Sequence, residues 1–150
     1  MTSNFRDVKA ITIDSLFLKP LTTISMKKII NTDKAPKAVG PYSQAVEAGG
    51  LVFISGQIPI VPETGKIIEG GIAEQTDQVL KNMGAILAEA GLGYENVVKT
   101  TCLLNDMDNF VPMNEVYAKY FTEKMPARAA YGVVKLPLGV LVEIEAIAVR

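Results

Sequence analysis

The fold is decided by the stretch Val140-Leu141-Val142-Glu143-Ile144-Glu145-Ala146-Ile147-Ala148-Val149. Because side chains alternate between the two faces of a strand, the even positions from 142 to 148 form a wholly apolar face. The odd positions mix apolar side chains with Glu143 and Glu145. The even face predicts contact with helices, whereas the odd face is too apolar to stay in water. We predict that copies of the chain cover the odd face in a homo-oligomer of cyclic symmetry, which puts both carboxylates near a subunit interface.

The remaining segments predict an α+β domain, with two helices on one face of a sheet. Gly49-Gly50 separates two strand-like runs, as in a hairpin. Apolar residues then recur at helical spacing up to Gly91, with Gln75 and Asn82 assigned to the solvent side of that helix. Asp106-Met107-Asp108-Asn109 supplies caps for a second helix. The predicted order is β-β-α-β-α-β-β. The strands and the first helix are predicted at 42–48, 51–55, 72–90, 97–104, 129–136 and 140–149.

Composition limits the classes of function. Of the 150 residues, 49% are hydrophobic and 21% are charged, which is typical of one folded domain rather than a disordered chain. A net charge of −1 argues against a general electrostatic grip on nucleic acid. The chain has no histidine, which excludes His-based triads and His-rich metal sites. Cys102 is the only cysteine, so the chain forms no internal disulfide and no cysteine cluster for zinc; its apolar neighbours predict a core residue.

Residues 1–25 do not match the rest of the chain. Asp14, Lys19 and Pro20 interrupt the apolar core that a signal peptide needs, and Met26-Lys27-Lys28 looks like a second start. We predict that residues 1–25 are an extension with little role in function and that residues 26–150 form one domain. No run of about 20 apolar residues predicts a membrane span. These observations favour a cytoplasmic protein.

Two charges stand out because of their apolar surroundings. Arg128 lies in Pro126-Ala127-Arg128-Ala129-Ala130, and Glu143 lies in the last strand. A buried charge without a partner is costly, so it is usually paired or has an altered pKa. We predict that Arg128 and Glu143 are the working charges of a small-molecule site. The residues alone leave open a surface ion pair for Arg128 and a structural salt bridge for Glu143 or Glu145.

Five separated motifs carry a family resemblance. They are Ala38-Val39-Gly40-Pro41-Tyr42-Ser43-Gln44-Ala45, Ile54-Ser55-Gly56-Gln57-Ile58-Pro59, Val98-Lys99-Thr100-Thr101, Pro126-Ala127-Arg128 and Glu143-Ile144-Glu145-Ala146-Ile147-Ala148. From about Met26 to Arg150 the chain closely resembles the reactive intermediate deaminase family, RidA subgroup, also called YjgF. The resemblance implies a chorismate-mutase-like α+β fold and a homotrimer with sites between subunits. It also implies hydrolysis of 2-imino acids, such as 2-iminobutanoate and 2-iminopropanoate, to 2-keto acids and ammonia. That activity protects pyridoxal-phosphate enzymes and needs no metal or organic cofactor.

The resemblance also implies roles for individual residues. Arg128 holds the substrate carboxylate with two parallel hydrogen bonds, and Glu143 orients and partly deprotonates the attacking water. Tyr42 is the third catalytic residue and helps to complete the polar lining. The substrate-binding residues are Asn114 in that lining, Ser55 and Gly56 in a wall supplied by the neighbouring subunit, and Ala130.

The chain departs from many relatives at Ala130, where they carry cysteine. We expect activity to survive, because the backbone at Ala130 can still bond the substrate, with a changed pocket shape and substrate preference. The departure also removes a route to thiol-based regulation. Two alternatives stay open: a ribonuclease or translation inhibitor, which the net charge of −1 and the missing histidine oppose, and a non-catalytic ligand-binding or chaperone-like trimer.

Overall fold

The computed structural model describes residues 27–150, where two helices cover one face of a mixed sheet. The predicted extension at 1–25 lies outside the described residues. The strands are β1 (Lys28–Ile30), β2 (Ala45–Ala48), β3 (Leu51–Gln57), β4 (Ile60–Val61), β5 (Lys66–Ile67), β6 (Val97–Leu104), β7 (Ala127–Gly132) and β8 (Val142–Val149). The helices are α1 (Ile72–Glu89) and α2 (Phe110–Tyr120).

The main sheet has six strands in the order β1-β2-β3-β8-β6-β7. Neighbours run antiparallel except β6 and β7, which run parallel because α2 connects them. The predicted α+β class with two helices is confirmed. β1 and the separate hairpin of β4 and β5 were not predicted; β1 is three residues long, and β4 and β5 are two residues each. Strands this short contain too few positions to reveal an alternating pattern.

The last two strands were predicted too long. β7 was expected to continue to residue 136, but it ends at Gly132 opposite Leu104, where β6, the one described strand that pairs with it, also ends. β8 begins at Val142 rather than at position 140, and Val142 is again opposite Leu104. The length of β6 therefore sets both boundaries.

The predicted division of β8 into two faces is confirmed. Its even positions, from Val142 to Ala148, are at most 4% exposed and belong to the core under α1 and α2. The odd face remains partly exposed, together with Phe53 of β3, which is 43% exposed. A homo-oligomer that covers this face stays a prediction.

Local signals at the turns also fold as predicted. Gly49 and Gly50 join β2 to β3 with φ of 60° and 79°, the left-handed conformation that a two-residue hairpin turn needs. Gly91, with φ of 72°, follows the end of α1. The predicted cap of the second helix differs in place: the Asp106 carboxylate accepts the N–H of Asp108 at 2.9 Å and caps the 3-10 turn before α2, whereas Asn109 makes no side-chain cap on α2 itself. No helix within residues 27–150 is both long enough and apolar enough to cross a membrane.

Candidate active site

Arg128 is held on the helix side of the sheet. It lies on β7 opposite Thr100 of β6, and its guanidinium packs against two rings of α2. The guanidinium carbon is 4.6 Å from the centre of the Tyr117 ring and 5.6 Å from the centre of the Phe110 ring. The Tyr117 hydroxyl is hydrogen-bonded to the Thr100 hydroxyl at 2.8 Å. Strand register and helix packing together therefore place this cation.

The Arg128 guanidinium has no acidic neighbour in the described part of the chain. Within residues 27–150 the ion pairs involve other side chains, and Arg128 donates no side-chain hydrogen bond there. The alternative of a surface ion pair thus finds no partner among these residues. A planar guanidinium with free N–H groups suits a carboxylate ligand, which accepts two parallel hydrogen bonds.

A cavity of about 370 Å³ lies beside Arg128. Its lining combines one amide, one guanidinium and apolar side chains: Asn114, Tyr117, Ala118, Phe121, Met125, Pro126 and Arg128. The structure therefore brings together Arg128 and Asn114, two of the predicted site residues. We call Arg128, Asn114, Tyr117 and Phe110 the arginine half-site.

Glu143 lies on the opposite face of the sheet. It pairs with Leu103 of β6, and its carboxylate packs against Gly56 of β3, where the register between β3 and β8 is irregular. A Cβ added at Gly56 would overlap the Glu143 carboxylate. Only glycine leaves room for this carboxylate, which explains a residue that the sequence alone presents as the end of a strand.

The surroundings of Glu143 favour its neutral form. Burial raises the pKa of its carboxyl above the ordinary value, and the negative charge of Glu145 adds to the effect. No described residue forms an ion pair with Glu143, which leaves no support here for the structural salt bridge that was the alternative. Glu145 is exposed, whereas Glu143 is half-buried. The structure thus separates two carboxylates that the sequence left equivalent, and a raised pKa suits a base that works near neutral pH.

Tyr42 and Gly56 line a second cavity of about 370 Å³. Its other walls are mainly apolar and include Val39, Ile58 and Leu138. Ser55 does not line this cavity, and its hydroxyl donates to the carbonyl of Ser43 at 2.7 Å. Ser55 therefore supports the chain beside Tyr42. We call Tyr42, Gly56 and Glu143 the glutamate half-site.

The two half-sites do not meet within one chain. Arg128 shares the helix face with Thr100, whereas Glu143 projects from the other face with Leu103. A charge on each face of one sheet cannot hold the same small molecule. A site that uses both charges on one small molecule would need a second copy of the chain, and such an assembly stays a prediction.

Two polar residues that support the second cavity were missed or misplaced by sequence reasoning. Gln44 is buried; its amide donates to the carbonyl of Pro36 at 2.8 Å and accepts the N–H of Thr32 at 2.7 Å. Asn82 donates to the carbonyls of Ile58 and Ile60 at 3.1 and 2.9 Å. These bonds fix two segments of the cavity wall.

The prediction that Gln75 and Asn82 face solvent is wrong, because they are 7% and 1% exposed. Each satisfies backbone groups of an irregular segment rather than water. Gln75, for example, accepts the N–H of Leu141 at 2.8 Å, just before β8. The signal that could have revealed them is that Gln75, Gln78 and Asn82 recur at helical spacing in a helix followed by several strand breakers.

Ala130 lies two residues after Arg128 and opposite Cys102 of β6. Cys102 is fully buried, as predicted, and burial raises the pKa of its thiol to about 11. The chain's one thiol therefore faces the core and stays protonated. Position 130 itself is alanine and offers no thiol.

The family model described as Endoribonuclease L-PSP matches residues 32–150. The chain belongs to this family. The predicted relation to the RidA (YjgF) proteins is confirmed, because a mouse protein named 2-iminobutanoate/2-iminopropanoate deaminase is 53% identical over 125 residues. That match covers 83% of this chain and 93% of the mouse protein.

Two further comparisons agree with this RidA assignment. A RutC family protein of Pyrococcus horikoshii is 56% identical over 125 residues, which span 83% of this chain and 99% of the relative. A crystal structure of a putative endoribonuclease from Thermotoga maritima superimposes with a TM-score of 0.81 at 53% identity, covering 83% of this chain and 98% of that one. Sequence and fold therefore agree on one family for residues 32–150.

Proposed function

We propose that this protein is a deaminase that hydrolyses 2-imino acids, including 2-iminobutanoate and 2-iminopropanoate, to 2-keto acids and ammonia. Its relative in mouse, 53% identical, carries the name of that activity. The observation in the structure that carries the proposal is the Arg128 guanidinium, which lies beside Asn114 and has no ion-pair partner among residues 27–150. It offers the charge and the planar donors that the carboxylate of an imino acid needs.

Glu143 is the proposed base. In its ionised form it accepts a proton from water as the water oxygen bonds to C2 of the protonated imine and the C=N electron pair moves to nitrogen, which gives a neutral carbinolamine. The protonated Glu143 then returns this proton to the nitrogen of the carbinolamine. The C–N bond breaks, the hydroxyl proton passes to the departing ammonia, and a 2-keto acid and ammonium remain. Arg128 fixes C2 beside the water throughout, which lowers the entropy cost of the attack.

The site is proposed to form between copies of the chain, in a homotrimer. Support comes from the two half-sites, which occupy opposite faces of one sheet, and from the partly exposed apolar odd face of β8. A cyclic assembly lets the arginine half-site of each copy face the glutamate half-site of the next. The reaction is proposed to take place in the cytoplasm.

A coupled assay tests the activity. A threonine dehydratase supplies 2-iminobutanoate continuously, and ammonia release is followed with and without this protein. We expect wild type to accelerate ammonia release. We expect Arg128→Ala to lower kcat/KM by about a hundredfold or more, because a charge-assisted bidentate contact is lost.

The matched control is Lys66→Ala, which removes an exposed cation from β5 of the separate hairpin and leaves both half-sites unchanged. It should retain wild-type activity. Release of ammonia at the uncatalysed rate by wild type would contradict the proposed function. Full activity of Arg128→Ala would contradict the role of Arg128 but not the deaminase function.

RNA cleavage is the second candidate, favoured by the description of the family model and by the name of the Thermotoga maritima structure. A net charge of −1 and the absence of histidine oppose it. RNA binding that weakens steeply with salt, together with cleavage that Arg128→Ala abolishes, would support this candidate instead.

A further inference from the structure

We propose that Tyr117 and Phe110 are positioning residues, which orient the Arg128 guanidinium toward the substrate carboxylate, and that Thr100 fixes Tyr117 for this task. This inference rests on the proposed function, because it assigns Arg128 to the substrate. It adds three residues that do not themselves touch the reacting atoms.

The geometry of α2 provides the first argument. Phe110 and Tyr117 are seven residues apart, two turns of the same helix, so both rings face β7. They lie 5.6 and 4.6 Å from the guanidinium carbon of Arg128. Both distances are within the range of cation–π attraction. The two rings therefore restrict rotation of the Arg128 guanidinium.

The orientation of the N–H groups provides the second argument. A guanidinium donates hydrogen bonds in its own plane, so aromatic rings that pack on its faces leave the donating edges open. An arginine side chain without such contacts samples many rotamers, and ordering it on binding weakens affinity. The rings thus prepare Arg128 to receive a planar carboxylate.

The fixation of Tyr117 provides the third argument. Its hydroxyl is bonded to the fully buried Thr100 hydroxyl at 2.8 Å, and its ring stacks on Phe121 with centres 4.4 Å apart. Thr100 is the residue directly opposite Arg128 in the β6–β7 pair. The hydrogen bond therefore links the strand that positions the Arg128 backbone with the ring that positions its side chain.

The test compares Phe110→Leu, Tyr117→Leu and Tyr117→Phe with wild type. The matched control is Tyr120→Phe, because Tyr120 lies on the same helix and bonds the Asp77 carboxylate at 2.6 Å, yet the Arg128 guanidinium packs on Tyr117 and Phe110 instead. Two quantities are measured: KM and kcat for 2-iminobutanoate, and the Kd of 2-oxobutanoate by calorimetry. The second compound carries the same carboxylate and requires no catalysis.

We expect each leucine variant to raise both KM and Kd by about five- to tenfold, with kcat within about twofold of wild type. Tyr117→Phe keeps the ring but loses the bond to Thr100, so it should raise both constants by a smaller factor of about two to three. Tyr120→Phe should change neither. In an Arg128→Ala background, Phe110→Leu should have no further effect, because its role passes through Arg128.

Unchanged KM and Kd in folded Phe110→Leu and Tyr117→Leu would overturn the inference, as would equal losses with and without Arg128. Should Tyr117→Leu fail to fold, the half-buried Phe110 still decides the outcome. The two proposals fail differently. If wild type does not hydrolyse the imine but the variants weaken binding of 2-oxobutanoate, the deaminase proposal fails and the positioning role stands.

Discussion

Glu143 combines two opposed requirements in one side chain. Its carboxyl must be ionised to accept a proton from water, yet burial and the nearby Glu145 raise its pKa and so favour the neutral form. The reaction needs the ionised carboxylate, whereas the folded protein is more stable with the neutral carboxyl. Changing this residue should therefore move activity and stability in opposite directions.

We predict that Glu143→Gln lowers kcat by about a hundredfold or more with little change in KM, because a general base is lost and the shape is kept. The variant should also be more stable than wild type at pH 7. A carboxyl with a raised folded-state pKa loses stability as pH rises from its ordinary value of 4.5 through the raised one. The stability difference should disappear below pH 4.5.

Thermal unfolding from pH 4 to 8 measures the change in stability, and the pH dependence of kcat/KM measures the change in catalysis. Wild type should show an acid limb above the ordinary glutamate pKa, and Glu143→Gln should lack it. Glu145→Gln should keep the acid limb but move it to lower pH, because it removes the charge that adds to the raised pKa of Glu143. A lower stability of Glu143→Gln at pH 7 would refute the electrostatic assignment.

The sequence draws attention to single residues where chemistry narrows the choice. Arg128 and Glu143 are recognisable as charges in apolar segments, and Cys102 as a core residue. The contacts around these residues are harder to predict from the sequence. Tyr117 reads as an ordinary apolar-face residue, because helical spacing shows which side of α2 is buried but not which strand residue it meets.

At the scale of an element, the irregular end of β3 creates the space for Glu143. Gly56 lies where the register between β3 and β8 shifts, and a Cβ there would overlap the Glu143 carboxylate. The segments on either side are held by Asn82 and Gln57; Asn82 bonds the Ile58 carbonyl and Gln57 bonds the Ser55 carbonyl. The backbone around Gly56 is therefore fixed, so a Cβ added there would displace the Glu143 carboxylate rather than the backbone.

We predict that Gly56→Ala lowers kcat by about tenfold to a hundredfold, because the Glu143 carboxylate is displaced by about 1 Å from its working position. The free energy of unfolding should fall by less than about 1 kcal/mol, since only the end of a flexible side chain moves. Gly71→Ala is the control, because a Cβ at Gly71 meets Glu74 only at 3.7 Å. Wild-type kcat for Gly56→Ala would contradict the role of this contact.

Element boundaries expose a limit of sequence reasoning. The alternation in β8 predicted its buried face, yet the ends of β7 and β8 depend on where β6 stops, at Leu104. Likewise, the helical spacing predicted that Asn82 faces solvent, but its side chain bonds the carbonyls of Ile58 and Ile60 beside α1. Both errors come from partners distant in the sequence, which local patterns do not contain.

For the whole molecule, the separation of the half-sites predicts complementation. Arg128→Ala and Glu143→Gln should each be nearly inactive alone. After the two variants are unfolded and refolded together, about a quarter of wild-type activity should return, because random assembly joins intact halves at one contact in four. Light scattering should give a mass near three times 16.2 kDa.

A mixture of Arg128→Ala with Arg128→Lys,Glu143→Gln is the control, since it offers no native arginine half-site and should stay inactive. Inactivity of the first mixture, at a trimeric mass, would place both charges of each site in a single chain. A monomeric mass with full wild-type activity would reject the shared site altogether.

The position of β8 in the sheet also affects how the protein folds during synthesis. β8 follows every other strand in the chain, yet it lies between β3 and β6 in the middle of the sheet. Until β8 has left the ribosome, no strand joins the β1–β3 group to the β6–β7 group. The edges of β3 and β6 that will pair with β8 stay without hydrogen-bond partners during that time. Such late, non-local pairing slows folding and exposes aggregation-prone strands. Translation of this chain is therefore where we expect the greatest need for chaperones.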